Sequence, residues 1–114
     1  METIPMEHER RQVPRFQFIA PAELVDEATG ARVDSWVADL GLQGCSLSAC
    51  DGLRDGSAVQ VKIGTNPRDS FQARAVVAYS GPQRVGLAFS EVKPTSSLVL
   101  HQWLATAKFP RAPA

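Results

Sequence analysis

The sequence predicts an all-β protein with a terminal helix, in which six antiparallel strands close into a small barrel and a C-terminal helix covers one end. Six short runs of β-branched and aromatic residues follow one another at close, even spacing. Turns rich in glycine, proline and aspartate separate these runs. After the last run, apolar residues recur at helical spacing instead of alternating. The length of 114 residues fits one domain with a modest core.

Alternation of apolar and polar residues marks the individual strands. Val59, Val61 and Ile63 form the clearest half-buried strand, since polar residues lie between them. Pro21 lies inside the first strand and predicts a bulge or an edge position there. The predicted strands cover residues 16–25, 31–40, 45–48, 57–63, 71–79 and 84–89.

The second predicted strand has two mixed faces, which is common near the rim of a functional site. Strict alternation places Val37 and Asp39 on one face. The same alternation places Trp36 and Leu40 on the other face. Two glycines three residues apart then end the strand, within residues 41–44.

The C-terminal part of the chain changes from strand to helix periodicity. Thr95 and Ser96 follow a proline, and either one is a candidate for the N-cap of the helix. The apolar residues that follow share one helical face, which we expect to cover one end of the barrel. That face consists of Leu100, Trp103, Leu104 and Ala107.

Composition excludes several classes of function. Twelve basic and twelve acidic residues give a net charge of zero, so broad coating of DNA, RNA or an anionic membrane is not expected. No apolar run approaches the length of a membrane span. The N-terminus lacks a basic region followed by an apolar one, so no signal peptide is expected and the predicted location is cytoplasmic.

Neither a metal site nor a catalytic set is predicted. Cys45 and Cys50 form a single pair with poor zinc spacing, and both histidines lie far away in the sequence. Cys45 follows a glycine in a predicted buried strand and is expected to be a core residue. No Ser-His-Asp, Cys-His or paired-carboxylate pattern indicates an enzyme.

A basic segment precedes the first strand. Residues 10–15 contain three of the twelve basic residues, and Arg11 and Arg15 lie four positions apart. Pro14 disfavours a helix here, so the segment is expected to be a semi-rigid arm. Each arginine presents a planar set of donors that fits phosphate or the O6/N7 edge of guanine. A solvated basic tail is the alternative.

These motifs together resemble the PilZ domain family. The family pattern is Arg-x-x-x-Arg followed by Asp/Asn-x-Ser-x-x-Gly. The chain has Arg11 and Arg15, then Asp39-Leu40-Gly41-Leu42-Gln43-Gly44, and a similar closing strand at residues 85–89. The resemblance covers residues 9–107, of which residues 9–15 form the arginine arm. A disordered tail is expected before it, at residues 1–8, and a C-terminal tail after it, at residues 108–114.

The resemblance implies a six-stranded barrel that binds the bacterial second messenger cyclic di-GMP. It assigns phosphate and guanine contacts to Arg11 and Arg15, and a guanine-surrounding motif to Asp39, Gly41 and Gly44. Gly41 stands where the family pattern has serine. A neutral hydrogen bond contributes about 0.5–1.5 kcal/mol, so this loss is expected to weaken binding by about tenfold or less.

Two residues outside the motif remain candidates at the predicted site. Arg10 is an auxiliary charge, and Trp36 packs on the ligand, on a protein partner or under the arm. The predicted function is a cyclic di-GMP receptor or adaptor in which closure of the arm recruits an unidentified protein partner, without a further cofactor. The alternative is a degenerate PilZ domain that binds proteins independently of nucleotide. One or two ligand molecules per site both remain open.

Overall fold

The computed structural model describes residues 15–48, 51–64 and 70–106. Within these residues, six antiparallel strands form a closed barrel in the order β1-β2-β3-β6-β5-β4, followed by one helix. The predicted architecture is therefore confirmed. The elements are β1 Arg15–Asp26, β2 Arg32–Gly41, β3 Gly44–Ser48, β4 Ala58–Ile63, β5 Phe71–Ser80, β6 Arg84–Val92 and α1 Pro94–Ala105.

The inward residues of all six strands build one core. In β4 the predicted alternation is observed, because Val59, Val61 and Ile63 are buried while Gln60 and Lys62 are exposed. The two faces of β4 thus separate core from solvent. The largest fully buried side chains are Phe71, Leu24, Leu40, Leu47, Ile63 and Leu87.

The first strand is irregular near its proline, as predicted. The register between β1 and β2 shifts between Gln17 and Ala20, immediately before Pro21. The carbonyl of Pro21 accepts a hydrogen bond from the Gly64 amide, with an N···O distance of 3.0 Å. Pro21 is therefore accommodated inside a closed barrel next to a bulge.

A second irregularity changes the predicted faces of β2. The register between β2 and β3 shifts between Val37 and Asp39, and both Val37 and Leu40 are buried in the core. The prediction that Leu40 shares a face with Trp36 is wrong, because a bulge interrupts the alternation and re-aims the residues after it. Leu40 fills the core while Asp39 turns towards neighbouring polar groups.

The helix α1 covers one end of the barrel, as predicted. Leu100 is buried, and Trp103 and Leu104 pack partly buried against the core. The indole of Trp103 stacks on Phe18, with ring centroids 4.9 Å apart. Ala107, the fourth predicted residue of this face, lies outside the described residues. Within that part of the chain, no helix is long and apolar enough to cross a membrane.

The start of α1 differs from the prediction. Lys93 is the N-cap in an extended conformation, and Pro94 occupies the first turn, where its fixed φ suits a helix start. Neither Thr95 nor Ser96 is the N-cap. The Ser96 hydroxyl instead accepts a hydrogen bond from the backbone N–H of Gln72 in β5, with an N···O distance of 3.1 Å, and this bond joins the helix to the barrel.

Alanine substitutions distinguish this arrangement from the predicted cap. Ser96→Ala removes the acceptor for a partly buried amide and is expected to lower the free energy of unfolding by about 1–3 kcal/mol. Thr95→Ala, at an exposed position that is not the cap, is expected to change it by less than about 0.5 kcal/mol. Urea denaturation measures both values. A larger loss for Thr95→Ala than for Ser96→Ala would contradict the observed helix start.

Candidate functional site

Four of the predicted site residues meet where β1, β2 and β3 adjoin. Arg15 is the first residue of β1 and pairs with Gly41, the last residue of β2. Asp39 precedes Gly41 by two residues, and Gly44 opens β3. Strand pairing alone therefore brings Arg15 to the Asp39–Gly44 motif. Arg10 and Arg11 lie outside the described residues.

Arg15 contacts both β2 and β3 through one nitrogen. Its Nη1 donates to Asp39 Oδ1 at 3.3 Å and to Ser46 Oγ at 3.0 Å. Asp39 is only 2% exposed, so its carboxylate needs such donors to replace the hydrogen bonds that it would make to water. Arg15 is consequently held by the barrel at β1, and the remainder of the predicted arm would be residues 9–14.

Arg84 supplies a second guanidinium to the same carboxylate. Its Nη1 donates to Asp39 Oδ2 at 3.3 Å, reaching from β6 across β3. Its side chain is 41% exposed, compared with 17% for Arg15. Among the described residues at this position, two guanidiniums and one carboxylate leave an excess of positive charge, which favours an anionic ligand.

Sequence reasoning missed both Arg84 and Ser46. Ser46 could have been found from the strand period, since inward Cys45 and Leu47 flank it and direct its side chain outward. Arg84 lies 45 residues from Asp39 in the sequence, and only the pairing of β3 with β6 brings the two together. We refer to Arg15, Asp39, Gly44, Ser46 and Arg84 as the Asp39 cluster.

Gly44 permits the close packing on which the cluster depends. A Cβ atom at this position would overlap the backbone carbonyl oxygen of Leu87 and would lie 3.2 Å from Arg15 Nη2. The absence of a side chain therefore lets β3 approach β6 and leaves space for the Arg15 guanidinium.

Cys45 lies beneath the Asp39 cluster and is chemically inert. Its side chain is fully buried in the core, as predicted. Burial raises the pKa of the Cys45 thiol to about 12, and the charge of Arg15 opposes this shift only in part. The thiol is therefore protonated at neutral pH and is a poor nucleophile or metal ligand. Cys50 lies outside the described residues.

Trp36 lies in a separate groove. It pairs with Pro21 of β1, and 55% of its surface is exposed. The groove has a volume of about 510 Å³ and opens widely to solvent. Its lining consists of Pro21, Ala22, Glu23, Asp34, Ser35, Trp36, Lys62 and Gly64. The structure places Trp36 in this groove and Asp39 in the cluster.

The cluster has the chemistry of an anion and guanine site. Its carboxylate accepts hydrogen bonds of the kind that guanine N1–H and N2–H donate. Its guanidiniums match phosphate oxygens and the O6/N7 edge. Among the described residues, no group of three or more His, Cys, Asp or Glu side chains could hold a metal ion.

Comparison with solved structures identifies the same barrel elsewhere. The PilZ domain of CeSA from a cellulose-synthesizing bacterium superposes with a TM-score of 0.65 at 13% identity, covering 80% of this chain and 94% of that one. The PilZ domain of YcgR from Escherichia coli, in a structure with c-di-GMP, gives a TM-score of 0.65 at 17% identity, covering 86% and 91%.

A third structure shares the barrel but is longer. The inhibitor of motility MotI/DgrA from Bacillus subtilis gives a TM-score of 0.64 at 19% identity. The match covers 82% of this chain and 48% of that protein, so this chain corresponds to about half of its length. The TM-scores of these three comparisons show a shared fold.

Comparison of sequences gives the family. No curated protein sequence matches the chain. The PilZ domain model matches residues 9–106, which include every strand, the helix and all residues of the Asp39 cluster. With this match and the same barrel in solved PilZ domains, the chain belongs to the PilZ domain family.

Proposed function

We propose that the chain is a cytoplasmic receptor that binds cyclic di-GMP at the Asp39 cluster and acts by binding, without catalysis. The observation that carries the proposal is the placement of Asp39 between the guanidiniums of Arg15 and Arg84. The E. coli YcgR domain, which has the same fold, is in a structure with c-di-GMP and gives independent support.

The cluster suggests how the ligand is recognised. A guanine would donate N1–H and N2–H to the Asp39 carboxylate and compete there with Arg15 and Arg84. A displaced guanidinium is then available for a phosphate or for the O6/N7 edge of the base. Charge-assisted hydrogen bonds to the ligand thus replace an ion pair within the protein, and each contributes about 1.5–3 kcal/mol.

The second arginine of the motif would complete the site. We assign this role to Arg11, four residues before Arg15, while Arg10 remains an auxiliary charge. Since Arg15 is fixed in β1, ligand contact by Arg11 would draw residues 9–14 towards the barrel. Closure of this segment would create a new surface for a protein partner, as expected for an adaptor.

Titration calorimetry tests the proposal directly. Cyclic di-GMP is expected to bind, whereas cyclic di-AMP is expected to bind at least about tenfold more weakly, since adenine lacks the N1–H and N2–H donors that Asp39 accepts. Absence of heat with cyclic di-GMP would overturn the proposal. Equal affinity for both ligands would overturn the role of Asp39 in guanine recognition.

Gly41 provides a graded test of the same site. Gly41→Ser restores the family hydroxyl and is expected to leave the affinity unchanged or to raise it by up to about tenfold. Gly41→Ala is the control, because it restricts the backbone without adding a hydroxyl. The same titration compares the two variants. Weaker binding by Gly41→Ser than by Gly41→Ala would contradict a ligand-facing hydroxyl at this position.

A nucleotide-independent protein-interaction module is the second candidate. The exposed Trp36 in its groove favours it, since exposed aromatic residues are enriched at protein interfaces. The two candidate functions predict different effects of cyclic di-GMP on the binding of a protein partner. Equal binding of that partner with and without cyclic di-GMP, and by the Arg15→Ala variant, would favour the module over the receptor.

A further inference from the structure

Tyr79 lies flat on the outside of the barrel. A Cβ atom at Gly86 would overlap the Tyr79 ring, with Cε1 nearest and its ring neighbours Cζ and Cδ1 at 2.6 and 2.7 Å. These neighbours are only slightly farther than Cε1, so the Gly86 position lies above the plane of the ring and not at its edge. One face of the ring therefore covers Gly86.

The opposite face of the ring is available to solvent. Tyr79 is 41% exposed although one of its faces is packed against the strand. Packing on Gly86 restricts the ring before any ligand arrives, which lowers the entropic cost of using its free face. The result is an oriented aromatic surface on β6.

Strand register connects this surface to the Asp39 cluster. Asp39 pairs with Ser46, Ser46 pairs with Gly86, and Gly86 pairs with Tyr79. Neighbouring strands are about 4.8 Å apart, so the ring over Gly86 lies roughly 10 Å from Asp39. The positions between them are Ser46 and Gly86, so no bulky side chain of β3 or β6 separates Asp39 from the ring there; Arg15 contacts Ser46, and the Tyr79 ring covers Gly86.

The Arg84 side chain crosses the same distance, from β6 to Asp39 on β2. It lies two residues before Gly86 on the same outward face of β6, and its guanidinium reaches Asp39. A carboxylate, a guanidinium and an aromatic face thus follow one another along the outside of β2, β3 and β6. This order suits a ligand that carries two purines and a negatively charged backbone.

We infer that Tyr79 stacks on the second guanine of the dinucleotide whose first guanine contacts Asp39. The inference rests on the proposed function and extends its site to β5 and β6. Bases stack favourably on aromatic side chains, and the interaction depends on the π face more than on the hydroxyl. Tyr79 would thereby contribute affinity for a dinucleotide over a mononucleotide.

If Tyr79 did not contact the ligand, its role would be purely structural, because its ring covers a glycine in a neighbouring strand. Two substitutions separate the roles. Tyr79→Phe keeps the aromatic face, whereas Tyr79→Leu keeps apolar cover over Gly86 without that face. We expect Tyr79→Phe to bind cyclic di-GMP within about twofold of the parent and Tyr79→Leu to bind about tenfold more weakly, by calorimetry. Equal affinities for the two variants would overturn the inference.

A direct readout exists because the chain contains a single tyrosine. Ring-¹³C-labelled tyrosine gives signals from Tyr79 alone, and stacking of a purine is expected to move them upfield as cyclic di-GMP is added. If backbone amides of the Asp39 cluster shift while the Tyr79 ring does not, the stacking role is overturned and the proposed function stands. If neither responds at saturating ligand, both are overturned.

Discussion

Arg15→Ala is expected to weaken the binding of cyclic di-GMP by about 30-fold or more. The substitution removes the guanidinium that we propose contacts the ligand, and with it a hydrogen-bond donor to Asp39 and Ser46. Truncating one member of a buried, hydrogen-bonded charge pair costs about 2–5 kcal/mol at an interface. Calorimetric titration of the variant measures the loss.

Two further variants make this result specific. Arg32→Ala removes an exposed arginine that pairs with Glu23 at the opposite end of β2, and it is expected to leave the affinity unchanged. Arg15→Lys keeps the charge but not the planar donor set, so we expect it to recover little of the affinity. An Arg15→Ala variant that binds as well as Arg32→Ala would contradict the assigned site.

Gly44→Ala is expected to destabilise the fold by about 3 kcal/mol or more. The new methyl group would overlap the Leu87 carbonyl oxygen, which belongs to the backbone of β6 and has no rotamer to change. Relief would require β3 and β6 to separate where Gly44 pairs with Ala88. Overpacking costs about 1–3 kcal/mol, and loss of strand hydrogen bonds adds to it.

Gly81→Ala is the matched control for this substitution. Its Cβ would lie 3.5 Å from the nearest atom, the Arg84 carbonyl oxygen, which is an ordinary contact. We expect it to change the free energy of unfolding by less than about 0.5 kcal/mol. Urea denaturation compares the two variants. Similar stability of Gly44→Ala and Gly81→Ala would contradict the tight β3–β6 contact.

The sequence predicts the scaffold well because strand period is a local signal. Alternation at Val59, Val61 and Ile63 reports a core face directly, and the number and direction of the strands follow from such runs. Pro21 likewise indicates a nearby bulge through its own covalent structure. The helical face at Leu100 and Trp103 is readable for the same reason.

The parts that escaped prediction depend on distant strands or on local irregularity. The bulge between Val37 and Asp39 has no proline or glycine to mark it, so the burial of Leu40 was missed. Lys93 and Pro94 begin the helix where Thr95 and Ser96 offered the better-known side-chain signal. At Ser96, the hydroxyl accepts a hydrogen bond from the barrel instead of capping the helix.

The candidate site divides in the same way. Asp39 and Gly44 were predicted from a motif, and the structure places them with Arg15. Arg84 and Tyr79 lie near Asp39 only because β6 pairs with β3 and β5, which the sequence motif does not indicate. Arg11 and the closure of residues 9–14 stay predictions, since these residues lie outside the described part of the chain.

Chemical-shift mapping with cyclic di-GMP tests the central claim most directly, because it locates the ligand on the barrel. The Asp39 cluster as the binding site predicts that the amides of Arg15, Gly41 and Ser46 shift and saturate together. Thr29 and Gly30, in the turn at the opposite end of β2, should stay unchanged. Largest shifts around the Trp36 groove, or none at saturating ligand, would contradict it.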